Sequence, residues 1–289
     1  MLTRFGLGLI WLLHFLPLAV LAPLGRGFGL LLYALAGERR RVALKNLELC
    51  FPQWGEAERR RVARRHFQAL GRSLLERGYI WWSPREKVMA LVRVEGEEHW
   101  RAVAGRPVVW LAPHFVGLDM GGARLATEHR AVAVYSHQKD PVFDAVLYRG
   151  RTRFVVPELY SRQDGIRPVV KAMRRGLPFY YLPDMDFGLR DSIFVPFFGV
   201  PTATITGLSR IARLAHAVVL PTVTYQLPGA QGYVLRFHPA WENFPTDDIE
   251  ADTRRMNAFI EQYVQMHPEQ YFWVHKRFKS RPPGEARFY

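Results

Sequence analysis

The chain has 289 residues, 40 Lys and Arg against 26 Asp and Glu, and a formal net charge of +14. That length supports one large domain with a substantial core, and that charge calls for an anionic partner: nucleic acid, an anionic membrane surface or an acidic substrate. The single cysteine, Cys50, excludes an intramolecular disulfide and a cysteine-rich zinc cluster and fits a reducing compartment, while the absence of H-E-x-x-H, G-x-S-x-G, G-x-x-x-x-G-K-[ST] and G-x-G-x-x-G leaves metalloprotease, covalent serine and nucleotide chemistry without support.

Residues 5–25 carry no Asp, Glu, Lys or Arg, although His14, Pro17 and Pro23 interrupt the run. Its 21 residues are long enough to span a bilayer core. A second apolar stretch follows at 27–37. A signal peptide would need a small-residue cleavage site, which this segment lacks; a buried globular helix is the bland alternative. The expectation is an uncleaved N-terminal membrane anchor over 1–37, spanning or partly embedded. The cluster Arg39, Arg40, Arg41 and Lys45 then places the following domain on the cytoplasmic side. Each such charge adds about 1 kcal/mol of attraction to anionic headgroups.

Residues 38–49 and 55–78 read as helices, the second with Val62, Phe67, Leu70, Leu74 and Leu75 on its apolar side. The cluster Tyr79, Ile80, Trp81 and Trp82 reads equally as core or as a membrane-interface belt. From residue 92 onward, short apolar runs at 92–94, 108–112, 131–135, 154–156, 179–182, 218–225 and 233–237 predict strands. Helical patterns at 119–128, 141–149, 165–175, 203–215 and 253–266 separate them. This alternation predicts an α/β fold, a mostly parallel central sheet flanked by helices. No repeat or linker divides residues 38–289, which read as one catalytic domain.

Ligands of open α/β sheets sit at the carboxyl ends of strands. The run at 108–112 ends at Pro113 and delivers His114, with Asp119 five positions on. Five helical residues turn by about 500°, so the pair cannot be neighbours on one helix. If the chain turns first and a helix starts near Asp119, the carboxylate can return to the imidazole as its orienter. A strand-end histidine and a helix-capping aspartate are the plain alternative. Asp184 and Asp186 follow another strand end, as site acids or as loop caps. Arg149, Arg151 and Arg153 form a phosphate-binding cluster or a solvated loop. Phe194, Phe197 and Phe198 line an acyl groove or belong to the core. The basic run at 276–281 suits nucleic acid as well as phospholipid.

Five stretches together resemble the late acyltransferases of lipid A biosynthesis in Gram-negative bacteria, within the lysophospholipid acyltransferase superfamily. They are RRRVALKNLELCFP at 39–52, HFVGLDMGG at 114–122, Asp140-Pro141 through Gly150-Arg151, PDMDFG at 183–188 with VPFF at 195–198, and HPEQYFWVHKRFKSRP at 267–282. They run in order along nearly the whole chain, and the first and last are far more specific than H-x4-D.

The resemblance implies a sheet of the glycerolipid acyltransferase type and an inner-membrane enzyme whose catalytic domain faces the cytoplasm. It implies transfer of a fatty acyl group from acyl carrier protein to a hydroxyl of an anionic lipid A precursor, with no cofactor, metal or covalent intermediate. His114 matches the family's base and Asp119 its acidic partner; Arg151 and Asp184 match two further required residues. Asp140-Pro141 departs from the usual Asn-Pro, and several pocket residues differ, which leaves chain length and acceptor open. A lysophospholipid or other lipid alcohol is the nearest alternative acceptor. A catalytically silent membrane-anchored binding protein is the alternative of another class. Nucleic acid is not expected, because of the N-terminal apolar segment.

Overall fold

The chain opens with two apolar helices, α1 (Leu2–Leu13) and α2 (Leu18–Leu35). The computed structural model describes every residue except Val156. The apolar run at 5–25 is not one helix. It breaks before Pro17, which caps α2 in extended geometry, because proline offers no N–H and drives the residue before it out of helical backbone. Pro23 is carried inside α2. The helix long and apolar enough to cross a bilayer is therefore Leu18–Leu35, shifted from the segment expected.

Helices α3 (Gly37–Cys50) and α4 (Glu56–Trp82) follow. With its 27 residues, α4 is roughly 40 Å long. Its last turn absorbs the 79–82 cluster, and Tyr79, Ile80 and Trp81 are buried there as core. Helix α2 lies against α4 with backbones in contact. A Cβ on Gly29 would lie 2.0 Å from the Phe67 carbonyl oxygen, and one on Gly71 2.3 Å from that of Gly25. Only glycine permits that approach. Inside α4, Arg72 Nε donates to Glu76 Oε1 at 2.9 Å, and Tyr233 closes the buried network on the other carboxylate oxygen.

The remaining elements alternate. Helix α5 (Arg85–Leu91), β1 (Val92–Glu95), α6 (Glu97–Arg101), β2 (Val108–Leu111), α7 (Leu118–Ala126) and β3 (Val132–Tyr135) come first. Then come α8 (Pro141–Thr152), β4 (Glu158–Ser161), α9 (Arg167–Arg174) and β5 (Phe179–Tyr181). A hairpin of β6 (Ser192–Phe197) and β7 (Val200–Ile205) leads to α10 (Gly207–Ala215), β8 (Val218–Gln226), β9 (Tyr233–Phe237) and α11 (Ile249–Met266). The seven-stranded sheet has the order β1-β9-β8-β2-β5-β3-β4 and is parallel except at β8–β9.

Alternation along β2 divides the core. Val109 and Leu111 face the cluster that includes α9, α10 and α11, whereas Val108 and Trp110 face the one that includes the end of α4 and α7. Burial on both faces explains why β2 and β8 read as unbroken apolar runs. Two expectations shift. The strand expected at 154–156 ends outside the described residues; β4 starts at Glu158, after Pro157, whose missing N–H cannot join a ladder. The helix expected from 203 starts at Gly207, because Val200–Ile205 pairs with β6. Helices α5 and α6 had no counterpart in the sequence reading.

Candidate active site

His114 emerges where β2 ends in the middle of the sheet. Its backbone N–H donates to Asp184 Oδ2 at 2.9 Å, and its Nδ1 lies 2.6 Å from Asp184 Oδ1. The carboxylate therefore grips both the main chain and the ring. Asp184 is buried, and burial pushes its carboxyl up, but the charge and hydrogen bonds of His114 and the charge of Arg277 outweigh this and hold it below the usual carboxylate range. An ionised partner at Nδ1 places the proton there and leaves Nε2 as the acceptor. The strand end is strapped from outside by the C-terminal segment. Phe272 N–H donates to the His114 carbonyl at 3.0 Å, and Val116 N–H to that of Gln270 at 2.9 Å. Asn46 Nδ2 in turn holds the carbonyls of Trp273 and His275 at 2.7 and 2.8 Å.

Asp119 stands in the first turn of α7 and does not hold the imidazole. Arg77 Nη2 reaches its Oδ2 at 2.7 Å and Arg151 Nη2 its Oδ1 at 3.7 Å. Burial pushes the Asp119 carboxyl up; the two guanidiniums and the nearby His114 reverse that and hold it low. The acid orienting the ring is thus Asp184, not the expected Asp119. The reason is local: α7 starts at Leu118, and its first turn directs Asp119 toward α4 and α8.

His114, Asp119, Arg77 and Arg151 open onto a cavity of about 330 Å³. Its floor includes Trp110, Tyr180, Ala133 and Leu159, which are consecutive register partners across β2, β5, β3 and β4. Its roof includes Leu118, Gly122, Leu125 and Ala126 of α7, and it extends past them to His129. Helix α7 sits close over the sheet through Gly121, where a Cβ would lie 1.9 Å from Thr224 Oγ1. The site thus joins a polar mouth, carrying an imidazole and two guanidiniums, to an apolar channel.

Comparison with known proteins shows the family. The family model of bacterial lipid A biosynthesis acyltransferase matches residues 1–280. The chain belongs to this family. It is 36% identical over 286 residues to the lipid A biosynthesis lauroyltransferase of Escherichia coli K12, covering 98% of this chain and 93% of that protein. It is 35% identical over 291 residues to the palmitoleoyltransferase of the same organism, covering 100% and 94%. To its myristoyltransferase it is 33% identical over 273 residues, covering 93% and 83%.

Within this lipid A acyltransferase, the other expected site residues scatter. Arg149 is exposed on α8, away from the cavity, and Arg153 donates to the Ile80 carbonyl at 3.0 Å. Asp186 is a structural latch. Its carboxylate accepts from Ser280 N–H at 2.6 Å, Ser280 Oγ at 2.9 Å and Gly188 N–H at 2.9 Å. Its own N–H donates to His275 Nε2 at 3.0 Å. His275 serves as acceptor because burial, with the charges of Arg277 and His114, pushes it down to about 4.

Phe194, Phe197 and Phe198 belong to the β6–β7 hairpin and do not line the cavity. Phe197 is fully buried against Tyr271 and Phe278, and Phe198 takes a left-handed turn conformation with φ 50°. An alternating hairpin strand and a groove-lining loop look alike as an apolar run. Arg77 was missed. Its readable signal was an arginine in the α4 stripe Leu70, Ser73, Arg77, Ile80, which faces the cavity at helical spacing.

Proposed function

We propose that the chain transfers a fatty acyl group from an acyl carrier protein thioester to a hydroxyl of a lipid A precursor, at the cytoplasmic face of the inner membrane. The observation that carries this reading is His114, on the wall of an apolar channel and backed by the buried Asp184. Relatives 33–36% identical to this chain are named for transfer of lauroyl, palmitoleoyl and myristoyl groups, which supports the reading. An apolar channel beside a base is what such a donor requires.

His114 Nε2 takes the proton of the acceptor hydroxyl as its oxygen attacks the thioester carbonyl. Asp184 stabilises the imidazolium that forms. The tetrahedral intermediate then expels the carrier thiolate, which recovers the proton from His114. No covalent acyl-enzyme is needed, and the buried Cys50, its thiol pushed well up by burial, is unsuited to form one. At the mouth, Arg77 and Arg151 set two positive charges against the single carboxylate of Asp119. Their surplus charge binds a phosphate of donor or acceptor. Residues 1–37 attach the catalytic unit of residues 38–289 to the membrane.

The test is transfer from radiolabelled acyl carrier protein thioesters to a purified lipid A precursor, with wild type and His114→Ala in parallel. The expected result is transfer by wild type and its loss in the variant. Transfer surviving in His114→Ala would remove the base. No wild-type transfer with any chain length would overturn the reading.

A further inference from the structure

We infer that α1 and α2 lie in the plane of one leaflet of an anionic bilayer and do not cross it. This deepens the proposed function, on which it rests for the identity of the membrane. Four observations carry it.

First, α2 is the helix with the length and apolarity to span, yet exposed Arg26 falls at the middle of its residues 18–35. A span would put that guanidinium at the bilayer midplane, where charge is most costly. An in-plane helix lets it reach the headgroups along its own stem.

Second, α2 is not free of the catalytic domain. The backbone contacts at Gly25 and Gly29 bind it to Phe67, Gly71 and Arg72 of α4, and the next turns of α4 meet α1, where Gly78 packs on Ile10 and His14. Tyr79 Oη donates to the Leu16 carbonyl at 2.6 Å. If α2 crossed the bilayer, the adjoining length of α4 would go with it, carrying Arg72, Glu76 and Arg77. Arg77 is paired with Asp119 at the site, so the site itself would have to enter the hydrocarbon.

Third, among the described residues most of the exposed large apolar side chains lie on these two helices. Phe5, Leu9, Leu12 and Phe15 project from α1 and the turn after it, and Val20, Leu24, Leu31 and Leu35 from α2. Apolar side chains left exposed on two adjoining helices are what the hydrocarbon of a leaflet would cover. Arg4 near the start of α1, and Arg39 and Arg41 in α3 just after α2, are exposed and flank this apolar surface.

Fourth, the surface adjoins the channel. The end of α4 that α1 covers contributes Ile80 and Trp81 to the channel wall. A leaflet on this face therefore brings a lipid acceptor beside the mouth without lifting it out of the membrane.

The experiment places single cysteines in the full-length protein. Arg4→Cys is exposed to membrane-impermeant maleimide in intact cells with permeabilised outer membranes and in inverted inner-membrane vesicles; wild type, with only buried Cys50, sets the background. The in-plane arrangement predicts labelling in inverted vesicles and background labelling in intact cells. Equal or greater labelling in intact cells would overturn it, as would recovery of the protein in the soluble fraction. Nitroxides at Leu9→Cys, Leu24→Cys and Leu31→Cys, in vesicles of phosphatidylglycerol and phosphatidylethanolamine, are expected at one shallow depth. A depth that passes through the bilayer centre along α2 would contradict the proposal. Acyl transfer is measured on the same preparations. Transfer retained with an outward-facing Arg4→Cys overturns the in-plane geometry alone; absence of wild-type transfer overturns the proposed function and leaves the geometry separately measured.

Discussion

The Nδ1 of His114 lies 2.6 Å from Asp184 Oδ1, seventy residues away in sequence, whereas the acid five residues along the chain faces Arg77. The pairing follows from the sheet: β2 and β5 are adjacent and parallel, so both deliver their following residues to the same edge. The imidazole and its carboxylate partner are thus held on two neighbouring strand ends in the middle of the sheet. The acid at the first turn of α7 is left to organise the arginines at the mouth. These are separable roles, and substitution can tell them apart.

Gly122 faces Tyr180 across the channel, with room for a Cβ at 3.4 Å from the ring. A larger side chain at this position projects into space that an acyl chain would occupy. Gly122→Leu is expected to shift donor preference to shorter chains, and His129→Ala, at the far end, to longer ones. Selectivity between chains differing by two methylenes should change by at least about tenfold. Competition among carrier-bound chains, read by mass spectrometry, checks this. Unchanged profiles in both variants would mean the chain lies elsewhere, and misfolding cannot produce opposite shifts.

Glycines along α1, α2 and α4 divide into those pressed between backbones and those facing open space. Gly71→Val forces a side chain into backbone at 2.3 Å and is expected to cost about 3 kcal/mol or more. Gly8→Ala meets nothing within 4 Å and is expected to stabilise α1 by up to about 1 kcal/mol. Thermal unfolding of both variants in one detergent tests the sign of each change.

His66 is fully buried, its Nδ1 3.1 Å from the Glu269 carbonyl oxygen, and burial depresses its pKa from 6.5 to about 4. The unfolded chain therefore binds this proton more tightly than the folded one. Its contribution to stability is complete above the unfolded pKa and is lost as pH falls toward 4, a difference of about 3 kcal/mol. Burial pushes His238 and His275 down to about 4 as well, so they act in the same window. Melting temperature should fall steeply between pH 6.5 and 4, and His66→Gln should flatten the slope. An unchanged slope in His66→Gln would contradict the assignment.

Much of this architecture was legible in the chain because parallel strands buried on both faces, such as Val108–Leu111 and Val218–Gln226, leave unbroken apolar runs. The site was legible only in part. His114 and Asp184 stand out as polar residues just past strand ends, but their pairing depends on which strands are neighbours, and local spacing is silent on that. Asp119 was expected as the partner through the family resemblance, not through its spacing; α7 directs it to Arg77 and Arg151 instead. Phe197 looked like groove lining because a separate two-stranded hairpin with a buried face has the same composition as a ligand wall. Asp186 looked like a site acid because the Ser280 that it holds is ninety-four residues distant.

Asp184, paired with His114, is expected to sustain catalysis, and Asp119, paired with Arg77 and Arg151, to organise the mouth. Steady-state acyl transfer by Asp184→Asn and Asp119→Asn, with kcat and KM separated, tests this most directly. Asp184→Asn keeps the shape and removes the charge that holds the tautomer, so kcat should fall by roughly 10²–10⁴-fold with little change in KM. Asp119→Asn should act chiefly on KM for the anionic substrate. A full kcat in Asp184→Asn, with the loss in Asp119→Asn instead, would show that the acid nearer in sequence serves the base after all.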